Sequence, residues 1–128
     1  MALYTCGHII PDSDSVCSAI SLAYLLNKIG RAATPARQGE LNPETKFILD
    51  KFGFEAPVLK TSFAGDELFI TDYSDIAQAP QDLDKTTVVG IVDHHKLGDI
   101  TTSAPLECWI RPVGCTNTIV KEMYDFHK

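Results

Sequence analysis

Asp93, His94 and His95 stand side by side in "GIVDHHKLGD", at the end of an apolar run. About eighty residues earlier, His8, Asp12 and Asp14 are packed around a proline in "GHIIPDSDS", again just after an apolar run. Three of the chain's four histidines lie in these two places. A further carboxylate, Asp72 of "TDYSD", closes a third apolar run. Carboxylates and imidazoles gathered without cysteine ligands suit a borderline-hard divalent ion such as Mn²⁺, Co²⁺ or Mg²⁺, and Zn²⁺ is also compatible. Unneutralised, such carboxylates would repel one another and raise their own pKa values. Two cations about 3.5–4 Å apart, bridged by one carboxylate and a water, remove that cost, bind phosphate oxygens and bring the ionisation of that water toward neutral pH.

Each group also has a purely structural reading. Asp12, Ser13 and Asp14 precede a helical pattern and are the residue types that cap a helix, a role compatible with ligation. Asp72 reads equally well as a turn or cap residue. The triplet Asp93 to His95 is costly at a strand end unless it is solvated or coordinating. In "VGCTNT", Gly114 and Thr116 mark a helix N-terminus that either donates backbone N–H groups to an anion or is simply capped. His127, next to the last residue, reads as a solvated surface side chain.

The elements that carry these residues follow from apolar periodicity. "ALYTC" reads as a short buried strand feeding the loop 7–14. Val16, Ala19, Ile20, Ala23, Leu26 and Ile29 then recur at the spacing of one helical face, predicting a helix over 15–29 with Gly30 as its stop. "AATPAR" reads as a second strand. "NPETKFILDKFG" has Asn42 as N-cap, Pro43 at the first helical position and Gly53 at the end. "ELFITDYSD", "TTVVGIVDHH" and "LECWIRPV" supply three more strands, and the chain is helical again from about Thr116. Pro57 and the polar run 78–87 mark loops. The alternation predicts an α/β fold: a five-stranded, mainly parallel sheet with helices on both faces. His8, Asp12, Asp14, Asp72 and Asp93 to His95 then share the carboxyl edge of the sheet, where ligands bind in open α/β folds.

The chain has 128 residues, 45% hydrophobic and 22% charged, as befits one ordinary globular domain. Its net charge of −6 offers no long-range attraction to nucleic acid or to an anionic membrane surface. An anionic substrate would need bound cations to mask the carboxylates. No signal-like N-terminus and no apolar run of about 18 residues is present, so the reading is a cytoplasmic protein without membrane attachment. Cys6, Cys17, Cys108 and Cys115 form no C-x-x-C pair and read as reduced thiols.

"GHIIPDSDSVCSAISLAYLL", "TDYSD", "VDHHKLGD" and "PVGCTNTIV", in this order and spacing, resemble the amino-terminal domain of the manganese-dependent (family II) inorganic pyrophosphatases, within the DHH phosphoesterase superfamily. The resemblance covers essentially the whole chain. It implies that His8, Asp12 and Asp72 ligate one Mn²⁺ and that Asp14, Asp72 and His94 ligate another, with Asp72 bridging. It further implies that His95 contacts substrate phosphate or the leaving group and that Asp93 orients the neighbouring histidine. The implied substrate is inorganic pyrophosphate and the implied assembly a homodimer formed by edge-strand pairing. Two local departures stand out. Ile9 and Ile10 replace a polar residue and an Asn before the proline, and Tyr73 and Ser74 replace the His-Asn that usually follows the third-motif aspartate.

The resemblance also implies a full chain more than twice as long, with one further metal-binding aspartate and a second domain of basic residues that grip pyrophosphate. On that basis residues 1–128 are expected to be the metal-binding domain, truncated at its carboxyl end, with little or no pyrophosphatase activity alone. Two alternatives stay open: a DHH phosphodiesterase acting on short oligonucleotides or cyclic dinucleotides, and a non-catalytic dimerisation or metal-binding module.

Overall fold

The computed structural model describes residues 1–128. Its elements run β1 (Leu3–Cys6), α1 (Ser13–Lys28), β2 (Thr34–Arg37), α2 (Pro43–Phe52), β3 (Val58–Leu59), β4 (Glu67–Thr71), β5 (Thr87–Asp93), β6 (Glu107–Ile110) and α3 (Thr116–His127). Two one-turn 3₁₀ helices, Ile76–Gln78 and Leu83–Lys85, lie between β4 and β5. No helix is long and apolar enough to cross a membrane.

The strands form one sheet in the order β3-β2-β1-β4-β5-β6, every pair parallel. The sheet therefore has six strands rather than the five expected. The extra one, β3, is only two residues long and both are exposed, so no apolar pattern marks it in the sequence. From β1 the chain moves outward to β2 and β3; from β4 it moves the opposite way to β5 and β6. β1 and β4 are neighbours, with Cys6 opposite Ile70. The crevice beyond their carboxyl ends is the point where strand order reverses, the preferred ligand position in such sheets.

Side chains alternate across the central strands and feed two cores. Leu3, Phe69 and Val92 pack with Leu22 and Leu26 of α1 and with Ile119, Val120 and Met123 of α3. Cys6, Leu68, Ile70 and Ile91 face the other way, against Phe63, Tyr73 and Ala79. Both faces are covered, one by α-helices and the other by the 3₁₀ turns and loops. Burial on both faces explains why β4 reads as a continuous apolar run rather than an alternating one.

The helix ends follow from their caps. Asp12 is the N-cap of α1 and accepts from the Ser15 N–H, so the helix starts at Ser13, three residues before its apolar stripe. Asn42 caps α2, Pro43 occupies its first turn, and Gly53 ends it at φ 74°, a left-handed conformation that costs glycine little. All four cysteines are free. Burial pushes the Cys6 thiol up to about 12, so it stays protonated and inert inside the second core.

Candidate metal centre

All seven residues singled out by type and spacing sit at the carboxyl edge, and five converge tightly. His8 follows β1, and its Nε2 lies 3.2 Å from Asp72 Oδ2 and 3.6 Å from Asp12 Oδ1. His94 follows β5, and its Nε2 lies 3.2 Å from Asp72 Oδ1 and 3.5 Å from Asp14 Oδ2. Asp72, 2% exposed, thus stands between the two rings with one carboxylate oxygen toward each. It leaves β4 at φ 70°, a left-handed turn that aspartate tolerates, with its N–H donated to Val92 O at 2.8 Å.

The ring orientations are set by backbone carbonyls. His8 Nδ1 lies 2.7 Å from Ile9 O and His94 Nδ1 lies 3.0 Å from Val113 O. A carbonyl only accepts, so each Nδ1 carries the proton and each neutral ring presents a bare Nε2 lone pair to carboxylates. Acceptors facing acceptors at 3.2–3.6 Å are repulsive unless a proton or a cation lies between them. No lysine or arginine supplies that charge; the ion pairs those residues make all lie elsewhere. Ligands held about 2.1 Å from one ion at right angles lie about 3 Å apart, close to the spacing here. The donor set and its spacing therefore fit divalent cations, and Nδ1–H···O=C bonds are the usual support of metal-ligating histidines.

Without a cation, the cluster holds a proton. The hydrogen bond to the Asp72 carboxylate raises His8 to about 9, against the opposing pull of partial burial. Burial, together with the nearby charges of Asp14 and Asp12, makes the Asp72 carboxylate harder to ionise than usual.

Asp93 and His95 form a second layer. Asp93 is fully buried, and its Oδ1 accepts from the His94 N–H at 2.8 Å, the His95 N–H at 3.3 Å and His95 Nδ1 at 2.7 Å. His95 is half-exposed, and although burial pulls its pKa down, the Asp93 carboxylate wins and raises it. It borders a cleft of about 250 Å³ together with His8, Asp72, Ser74, Gln78 and Lys96. The turn that follows is docked on the "DYSD" loop: Gly98 N–H donates to Ser74 Oγ at 2.8 Å, Ile100 N–H to Ser74 O at 3.2 Å, and Ile76 N–H to Asp99 Oδ1 at 2.8 Å. A Cβ at position 98 would lie 2.4 Å from Ser74 O, which explains the glycine. Ser74, one of the two departures, thus anchors the histidine loop. Tyr73 is buried in the second core with no partner for its hydroxyl.

Sequence reasoning left Thr116 open between anion binding and capping, and missed Asn117. The anion at this helix N-terminus is Asp14: its Oδ2 accepts from Thr116 N–H at 2.8 Å, and its Oδ1 from Asn117 N–H at 3.2 Å and Asn117 Nδ2 at 2.9 Å. Thr116 Oγ1 also donates to Asp72 Oδ1 at 3.1 Å. Gly114 is exposed and takes no part in these contacts, and His127 is exposed near the end of α3.

Residues 2–128 match the family described as "DHH family, N-terminal domain". A protein of Archaeoglobus fulgidus named probable manganese-dependent inorganic pyrophosphatase is 47% identical over 96% of this chain and 42% of its own length. One of Methanocaldococcus jannaschii named manganese-dependent inorganic pyrophosphatase is 44% identical over 94% of this chain and 38% of its own. The crystal structure of a Methanococcus jannaschii putative family II inorganic pyrophosphatase superposes with a TM-score of 0.89 at 43% identity, covering 97% of this chain and 38% of that one. The chain thus spans about 40% of the length of the relatives it matches.

Proposed function

The chain belongs to the DHH family, matching its N-terminal domain, and we propose that it is the metal-binding domain of a manganese-dependent inorganic pyrophosphatase, hydrolysing diphosphate to two phosphates. The observation that carries this reading is the pair of Nε2 atoms, from His8 and His94, each 3.2 Å from a different oxygen of Asp72. His8, Asp12 and Asp72 would hold one Mn²⁺, and Asp14, Asp72 and His94 the other, with Co²⁺ or Mg²⁺ as substitutes. When bound, such ions neutralise phosphate charge and lower the pKa of water.

The chain's own groups have separate tasks. The carbonyls of Ile9 and Val113 hold the two rings through Nδ1, so that both Nε2 atoms are aimed at Asp72. Asp93, held by two backbone N–H groups, fixes His95 through Nδ1 and favours its protonated form. His95 Nε2, at the cleft, is the nitrogen left to contact phosphate and to hand a proton to the departing phosphate oxygen.

Further length of the kind the relatives have would supply the second, substrate-gripping domain and the basic residues for the phosphates. The reading includes a cytoplasmic homodimer that binds no nucleic acid, in keeping with the net charge of −6. The test is Mn²⁺ titration and phosphate release by this chain. It is expected to bind Mn²⁺ yet release phosphate from diphosphate at a rate near the detection limit, because losing one electrostatic donor typically costs on the order of 10²–10³ in rate and several are absent here. Absence of Mn²⁺ binding would overturn the proposal. Cleavage of dinucleotides in preference to diphosphate would replace it with the phosphodiesterase reading.

A further inference from the structure

We infer that the segment Val113–Asn117 is a clamp for one ion only: Thr116 and Asn117 are positioning residues for the site of Asp14, Asp72 and His94, while the His8 and Asp12 side chains are oriented from within their own loop and the start of α1. The inference rests on the two-ion reading above.

The two sites differ in what holds each ligand. For the first site the His8 and Asp12 side chains are oriented locally, although the loop backbone is tied to the Ile76–Gln78 turn through Ile9 N–H to Gln78 O at 3.1 Å. His8 Nδ1 bonds the next residue's carbonyl, and Asp12 Oδ1 accepts the Ser15 N–H at 2.8 Å. For the second site the hydrogen bonds that orient the ligand side chains come from five consecutive residues leading into α3. Val113 O takes His94 Nδ1, the Thr116 and Asn117 N–H groups and Asn117 Nδ2 take Asp14, and the Thr116 hydroxyl takes Asp72. The oxygen of Asp72 that Thr116 binds is Oδ1, the one facing His94; Oδ2, facing His8, has no such partner. Thr116 therefore fixes which carboxylate oxygen is presented to which site.

The clamp is itself rigid. Ser21 Oγ of α1 donates to Asn117 Oδ1 at 3.1 Å, so the Asn117 amide can only turn its Nδ2 toward Asp14. Tyr124 Oη donates to Ser21 O at 2.5 Å, and Ile119, Val120 and Met123 are buried in the core beside α1. Thr116 itself is fully buried. The clamp also carries an electrostatic cost for its own ion. The N-terminus of a helix bears a partial positive charge, roughly half an elementary charge, and it sits on Asp14, where it opposes a second cation but not the first. The second ion is therefore the more weakly held and the more dependent on orientation.

The experiment is Mn²⁺ titration of this chain by calorimetry, with electron paramagnetic resonance to separate a spin-coupled pair of ions from isolated ones. The unmodified chain is expected to bind two ions, the tighter first, and to show the coupled signal. Thr116→Val and Asn117→Ala are each expected to weaken the second ion by roughly 10–100-fold and to leave an isolated-Mn²⁺ spectrum, with the first ion's affinity unchanged. Thr116→Ser, which keeps the hydroxyl, is expected to restore the pair, something a loss of packing alone would not allow. Circular dichroism checks that each variant is folded, and if Thr116→Val is not, the half-buried Asn117→Ala decides. Two ions bound at unmodified affinity in both variants would overturn the inference, as would equal weakening of both ions in a folded variant. A single ion in the unmodified chain would overturn the two-ion reading, and the clamp with it.

Discussion

His8 and His94 present the same atom to the same carboxylate at the same 3.2 Å, yet the two rings are held in different ways. His8 leans on Ile9, its neighbour in sequence, and its partner Asp12 doubles as the N-cap of α1. His94 leans on Val113, and its partner Asp14 is fixed by residues 102 and 103 positions away. Apart from the shared Asp72, the side chains of one half are thus oriented within β1, a loop and the first turn of α1. The other half exists only when α3 has packed against α1. A site built locally tolerates loosening elsewhere, whereas one built from distant elements reports on the packing of the whole domain.

The change expected to matter most removes what the halves share. Asp72→Ala deletes an oxygen from each side and leaves His8 and His94 facing an apolar methyl, so on the proposed two-ion reading both ions would lose a ligand and the neighbouring carboxylates their bridge. Calorimetry is expected to show Mn²⁺ binding reduced more than by any other single substitution in the chain. Binding equal to that of the unmodified chain would mean that the halves are independent and that Asp72 joins nothing.

The same comparison explains what the sequence makes legible. The stretches "GHIIPDSDS" and "VDHHKLGD" announce themselves because costly groups follow apolar runs, and the parallel strands then place both at one edge. β1, β4, β5 and both ends of α2 follow from patterns within a few residues. What stays hidden is long-range. Asn117 looks like an ordinary first-turn residue until Asp14 arrives from the other end of the chain, and Thr116 gives no sign that its hydroxyl reaches Asp72. β3 escapes for a different reason: it is two exposed residues after Pro57, held by pairing with β2 rather than by any burial pattern.

Proton linkage sharpens the local half. The Asp72 hydrogen bond raises His8 to about 9, above the roughly 6.5 of an unfolded histidine. In the metal-free chain this pairing therefore contributes stability that is fully present below about pH 6.5 and is lost as pH rises through about 9. An Mn²⁺ taking Nε2 must displace that proton, so first-ion affinity is expected to increase with pH across the same window, with release of about one proton per ion. Thermal melts in chelator across this range, and calorimetry at pH 7.5 in buffers of different ionisation enthalpy, measure the two effects. Melting that is flat with pH, or binding without proton release, would show that His8 is already neutral and that the local half is not charge-balanced as described.

The smallest expected effect also falls in the local half, at a point where the chain pays for its loop geometry. Ile10 sits at φ 50°, in the left-handed region that a β-branched side chain rarely enters, and directly before Pro11. It is 84% exposed, so no packing compensates. Strain of this kind costs on the order of 1–3 kcal/mol, and an asparagine adopts the same turn at much lower cost. Ile10→Asn removes only exposed apolar surface and leaves Pro11 and the carbonyl of Ile9 in place. It is expected to stabilise the metal-free chain by roughly 1 kcal/mol, seen as a rise of a few degrees in the melting midpoint. Because His8 is oriented by the Ile9 carbonyl, one residue before the strained position, relief there is also expected to leave the first ion's affinity unchanged or slightly tighter and the second ion's untouched. A lower midpoint, or a change in the second ion rather than the first, would mean that the strain in this loop is transmitted to the distant half, and that the two halves are less separate than their hydrogen bonds imply.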